Sequence, residues 1–208
     1  MGRMATEQGG AGGGFKPDFG IHNAICCQIV DFGTHDKEWQ GKIRGTRNIV
    51  QFGFEFVDQK LNAENGEVYT PIWGMNLTNS LGERANLRHL LEGWRGNKFE
   101  KEELAGFDLS KLLGLSCQLV IQPNQKGNPK ITAITRAPAK FQGMRELREF
   151  WVEEGCFDGE LPEWMPDWMV EEIKKSHEYV KGFGDDDTQP APVTEFHAED
   201  EEDDDIPF

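Results

Sequence analysis

Within the stretch EWQGKIRGTR stand one indole and three cations, Trp39, Lys42, Arg44 and Arg47. A flat indole can stack on any nucleobase, an interaction worth about 1–3 kcal/mol per base, while cations follow the phosphates without reading sequence. The competing reading is an exposed hairpin tip charged for solubility. A tryptophan set among the cations favours the binding reading, because solubility alone gives no reason to expose an indole. More cations follow. Arg84, Arg88 and Arg95 fall at i, i+4 and i+11, a stripe about 40° wide on a helix of 3.6 residues per turn, and Lys98 extends it. That stripe serves either as a cationic rim or as salt-bridge partners for Glu83 and Glu92. Lys126 and Lys130 flank the last predicted hairpin with the same two readings open, and Trp73 is open between core packing and base stacking.

Catalytic chemistry finds no comparable foothold. The sequence has no phosphate-binding G-x-x-x-x-G-K-[ST], no H-E-x-x-H and no G-x-S-x-G, and its five histidines are scattered. Cys26, Cys27, Cys117 and Cys156 lack C-x-x-C spacing, so reduced thiols are expected rather than a metal site. No catalytic residue, metal or cofactor is expected. The remaining enzymatic alternative is a nuclease built from dispersed carboxylates.

The net charge of −15 argues against a nucleic-acid partner until its distribution is read. Residues 184–208 hold eleven acids and no lysine or arginine, whereas residues 15–140 hold sixteen bases against fourteen acids. The acidity is an attachment to a neutral or slightly basic body. No apolar run approaches the roughly 18–20 residues that a membrane span requires, and no signal peptide opens the chain, so a cytosolic protein without membrane contact is expected.

The elements that must position these side chains follow from periodicity. Residues 1–18 are glycine-rich and expected to be flexible. Strands are predicted over IHNAICCQIVDFG, with Ile21, Ile25 and Ile29 on one face, over NIVQFGFEFVD, and over VYTPIWGMNLT. The segment THDKEWQGKIRGTR between the first two reads as a polar connection, and AENGE supplies an Asn-Gly turn. Phe52, Phe54 and Phe56 alternate and are assigned to the core. A helix is predicted from a capping box at Ser80 and Glu83, with Leu87, Leu90, Leu91 and Trp94 on its apolar face and Gly96 at its end. FEKEELAGFDLSKLLG reads as short helical turns, and SCQLVIQPN with PKITAITRAPA as a closing strand pair. Three strands, a helical insert and two strands is the order of an OB-fold, a five-stranded Greek-key barrel, over residues 19–140; a generic α+β sandwich shares the pattern. Residues 141–183 read as a helical, tryptophan-rich extension. Met144, Leu147 and Trp151 recur at helical spacing, Pro166 starts a helix, and Trp164 and Trp168 pack. The extension is expected to brace the barrel or to form a homodimer seam. Residues 184–208 are low-complexity and expected to be disordered.

The last six residues, DDDIPF, match residue for residue the C-terminal tip of bacterial single-stranded DNA-binding proteins. The segments GKIRGTR, YTPIWGMNLTNSLGERANLRHLLEGWRGNKFEKEELAGFDLSKLLG and LPEWMPDWMVEEIKKSHEY resemble a group of phage-encoded proteins taken to be OB-fold single-stranded DNA-binding proteins. The resemblance implies a protein that coats single strands in the cytoplasm of a bacterial host during phage replication and recombination. It also implies that the tip recruits host replication, recombination or repair enzymes. Phe208 would fill an apolar pocket with its α-carboxylate on a basic residue, Ile206 and Pro207 would pack beside it, and Asp203, Asp204 and Asp205 would meet a basic rim. A terminal phenylalanine presents ring and carboxylate together, and Pro207 lowers the entropy lost on docking. Two other functions fit the same features: an interaction protein that mimics such a tip, and a recombination protein that anneals strands.

Overall fold

The computed structural model describes residues 15–63, 66–152 and 160–183. The chain is mainly β. Two long strands, β1 (Gly20–Trp39) and β2 (Lys42–Phe56), carry the architecture, followed by the short pair β3 (Leu61–Asn62) and β4 (Val68–Tyr69), then β5 (Ile72–Thr78). Helix α1 (Asn86–Arg95) and two 3-10 turns come next, Glu103–Ala105 and Leu109–Leu112. The strand pair β6 (Ser116–Pro123) and β7 (Pro129–Arg136) follows as expected. The chain continues with β8 (Arg148–Phe150), α2 (Asp167–Lys174) and α3 (His177–Phe183). No helix among the described residues is long and apolar enough to cross a membrane.

The large sheet has the order β5-β2-β1-β6-β7, every one of these pairings antiparallel. Among the described residues no strand pairing joins β5 to β7, so the sheet is open there, and α1 contacts both outer strands. The buried face of α1, made of Leu87, Leu91 and Trp94, meets Phe52, Phe54, Phe56, Leu119, Ile131 and Ile134 in the main core. Trp94 donates its indole N–H to the Ser116 carbonyl at 3.1 Å, which satisfies the polar edge of a buried ring.

The first strand departs from simple alternation. Its register against β2 slips at Cys27 and again at Phe32, each an extra residue facing an unbroken partner. A slip of one residue exchanges the faces of everything beyond it. Ala24 and Cys26 therefore face the main core before the first bulge and Ile29 after it, while Val30 and Phe32 turn to the opposite face. The expected shared face of Ile21, Ile25 and Ile29 is thus broken: Ile21 is exposed and Ile25 is covered from the other side by Gly143. Val30, Phe32 and Ile49 form a second core with Val152, Met165, Met169 and Ile173 from the C-terminal extension.

Other expectations need correcting. The capping box does not form: α1 begins at Asn86 after an extended Ala85, and Ser80 Oγ accepts the Gly82 N–H in a local turn. The third predicted strand is split, because Thr70 and Pro71 interrupt it and β4 pairs with β3 instead. Asn65 of the expected Asn-Gly turn lies outside the described residues. The helical spacing of Met144, Leu147 and Trp151 gives no helix. Glu55, only 1% exposed, accepts the Thr70 hydroxyl and the backbone N–H groups of Met144 and Arg145. That buried carboxylate pins the chain, which then runs into β8, parallel to β1. Pro166 does start a helix, α2.

Candidate nucleic-acid interface

Residues 34–47, expected as a polar connection, are strand except for a two-residue turn at Gln40 and Gly41. Beyond the sheet, β1 and β2 continue as a two-stranded ribbon that closes through Gln40 (φ 51°) and Gly41 (φ 73°). Two successive positive φ values define the type I′ turn, whose twist matches that of the flanking strands. Gly41 takes its left-handed conformation without steric cost. Pairing then fixes which side chains share a side, since residues directly opposite lie on one face and successive residues alternate. Trp39 pairs with Lys42 and His35 with Arg47, while an irregularity sets Arg44 and Gly45 against Lys37. On the other face Glu38 pairs with Ile43, Asp36 with Thr46 and Thr34 with Asn48.

The ribbon is therefore two-sided. One face gathers Lys37, Lys42, Arg44 and Arg47 around Trp39 with none of the ribbon's own acids, and at its base stands His35, within the electrostatic reach of Glu172 and Glu178. The other holds both acids, Asp36 and Glu38, and no cation. Trp39 is 49% exposed. None of the four cations forms an ion pair among the described residues, and the Arg47 Nε is buried without a hydrogen-bond partner. Burial holds the His35 imidazole below its ordinary pKa, so it is biased toward the neutral form. Sequence reading missed Lys37 and His35. Their signal was the period-two spacing His35, Lys37, Trp39, hidden once the segment was taken for a loop.

The cations around α1 are placed otherwise. Arg84 lies in the turn before the helix, not on it. Arg88 pairs with Glu92 at 3.0 Å and also donates to the Leu81 carbonyl. Arg95 makes a two-pronged pair with Glu103, at 3.0 and 2.7 Å, and lies over the Phe99 ring. The Arg88 hydrogen bond holds the Glu92 carboxyl below its usual range, and the Arg95 hydrogen bond does the same to Glu103. Of the two readings left open for the stripe, Arg88 and Arg95 follow the salt-bridging one, with Lys98 exposed beside Glu92. Trp73, left open between core packing and base stacking, packs. It is partly buried against the main core, edge-on to Phe15 with ring centroids 6.3 Å apart. Lys126 is exposed in the β6–β7 turn, whose backbone is tied by Asn124, and Lys130 is partly buried in β7.

The three described thiols, Cys26, Cys27 and Cys117, are buried and show no activation, and Cys156 lies outside the described residues. Burial pushes the Cys27 thiol up to about 12, and raises Cys26 and Cys117 as well. Among the described residues no group of three or more His, Cys, Asp or Glu side chains could hold a metal ion. Asp203, Asp204, Asp205, Ile206, Pro207 and Phe208 lie outside the described residues. Comparison with known proteins adds no family to this geometry, since no protein-family model matches the chain and no curated protein does.

Proposed function

We propose that the chain is a single-stranded DNA-binding protein that coats strands with little sequence preference. The observation that carries this reading is the two-sided ribbon. A stacking indole and four cations share one face, every acid of the ribbon is on the other, and among the described residues none of those cations is in an ion pair. That is the combination by which a protein tracks a phosphate backbone and stacks bases without reading them.

The strand order supports an OB-type reading of the sheet. Counted by its five long strands, the order is three, two, one, four, five, with the helix after the third. A partly open Greek-key barrel has that connectivity, and its first hairpin and last hairpin flank the oligonucleotide site. Here these are the ribbon and the β6–β7 turn that carries Lys126. The C-terminal DDDIPF is read as the recruiting peptide for host replication or repair enzymes, on the strength of its resemblance alone.

The test is the affinity for a poly-pyrimidine single strand and for a matched duplex, measured across a salt series. The single strand should win clearly. Its log K should fall against log salt with a slope of about −0.7 for each phosphate neutralised. Equal affinity for strand and duplex, or no dependence on salt, would overturn the reading.

A further inference from the structure

Where the ribbon leaves the sheet, its second edge is gripped by α3. The grip begins with Ser176, 0% exposed, whose Oγ accepts the Tyr179 N–H and so starts the helix. The next two residues both reach β1. Glu178 accepts the Thr34 N–H on one carboxylate oxygen at 2.7 Å and the Thr34 hydroxyl on the other at 2.6 Å. His177 Nε2 lies 2.9 Å from Asp36 Oδ1. Because the Thr34 N–H is spent on Glu178, α3 occupies the strand edge that a further strand would otherwise pair with; β8 pairs only as far as Val30. Gly33 makes the approach possible: a Cβ there would come within 2.7 Å of both Glu178 Oε2 and Ser176 Cβ.

Three links thus bind two consecutive residues of α3 to the first residues of the ribbon, with Trp39 only three residues beyond Asp36. The binding face is carried by a ribbon of two strands, an element with little stiffness of its own. Resting on the function proposed above, we infer that α3 is the latch that sets the ribbon's angle, and that Glu178 is its positioning residue. Glu178 acts through Thr34 and does not touch the strand. Docking of α3 and binding of a strand then reinforce each other, and linkage requires the effect to run both ways. A loaded ribbon holds α3 more firmly, and a released α3 leaves a ribbon that binds more weakly.

The experiment uses the full chain and an oligothymidylate. Amide hydrogen exchange over residues 177–183 should slow when the oligomer binds. Glu178→Ala should weaken affinity by about threefold to tenfold, the scale of coupling through a packed contact. Glu178→Gln should restore most of it, since its carbonyl oxygen accepts the Thr34 N–H and its amide donates to the Thr34 hydroxyl. Thr34→Val, which removes only the hydroxyl link, should lie between, and decides the matter should Glu178→Ala fail to fold. Wild-type affinity in the variants together with unchanged exchange in α3 overturns the latch while leaving strand binding intact. A wild-type chain that does not bind the oligomer removes the function itself, and the latch with it.

Discussion

Helix α1 and the β1–β2 ribbon both present arginines at the surface, and they use them differently. Around α1, Arg88 and Arg95 each have a carboxylate within 3.0 Å, and Arg95 has a ring beneath it as well. To meet a phosphate, either guanidinium would first have to give up a charge-assisted hydrogen bond of the same kind, so the exchange gains little. On the ribbon, strand alternation has put the acids behind and the cations in front, and among the described residues those cations have no carboxylate to give up. Positive charge therefore marks a binding surface only where the fold leaves it unpaired. Helical spacing produced i, i+4 salt bridging, and strand spacing produced segregation.

The largest expected effect tests that contrast directly. Replacing Lys37, Lys42, Arg44 and Arg47 together with Glu should weaken single-strand binding by more than about a hundredfold at low salt. Replacing Arg88 and Arg95 together with Ala should leave the affinity within about twofold while lowering the melting temperature. Fluorescence anisotropy and thermal melts on the two variants separate the outcomes. Binding that follows the α1 arginines would transfer the site to the helix and break the comparison.

The two tryptophans sharpen it further. Trp39→Ala should lose the stacking of one base, about 1–3 kcal/mol or roughly fivefold to a hundredfold in affinity, without lowering thermal stability. Trp73→Ala should do the reverse. Its ring packs against the core beside Phe15, so stability should fall by about 2–4 kcal/mol. Any loss of affinity there should follow only from unfolding. A Trp73→Ala chain that is folded and fails to bind would show that the sheet interior was misassigned.

Much of the scaffold was legible because its signals are local. The phenylalanines of β2, the apolar face of α1, the β6–β7 pair and the helix start at Pro166 all stand where periodicity and proline chemistry put them. The ribbon was not legible. Residues 34–47 carry no apolar period, and their strand state depends on cross-strand pairing and on a Gln-Gly turn in place of Asn-Gly. The bulges at Cys27 and Phe32 were equally hidden, since nothing in the residue types announces an extra residue that faces no partner. Nor could spacing show that the partner of Arg95 would be Glu103, which reaches it through a 3-10 turn eight residues on. The proposed binding face was partly legible, through Trp39, Lys42, Arg44 and Arg47. It was diluted with cations whose partners come from tertiary structure.

The smallest expected effect separates the two regions by the sign of their pH dependence. Asp31 sits where the ribbon leaves the core, 7% exposed, accepting the Gly33 N–H and an Asn48 amide hydrogen. Burial raises its pKa, against the lowering by those hydrogen bonds. A carboxyl raised in the folded state favours folding while protonated, so its contribution is full below the ordinary Asp range and is lost as pH rises through the raised value. Glu92 and Glu103 are lowered by their arginines, so their contribution is present above the ordinary Glu range and is lost as pH falls through the lowered values. Asp31→Asn keeps an acceptor for the Gly33 and Asn48 hydrogen bonds and removes the buried charge, whose desolvation is a larger influence on this carboxyl than the hydrogen bond from the Val152 backbone. It should raise the melting temperature at neutral pH by about 1–2 °C, with the gain shrinking as the solution is acidified toward pH 4. The Arg88 and Arg95 double variant should keep its deficit from neutral pH down to the ordinary Glu range and start to lose it only as the pH falls below that range. Melting curves of the two variants and the parent from neutral pH to below that range test both signs at once. Parallel curves for parent and Asp31→Asn would mean that solvent reaches the base of the ribbon, and that the boundary between packed core and open binding face lies deeper than Asp31.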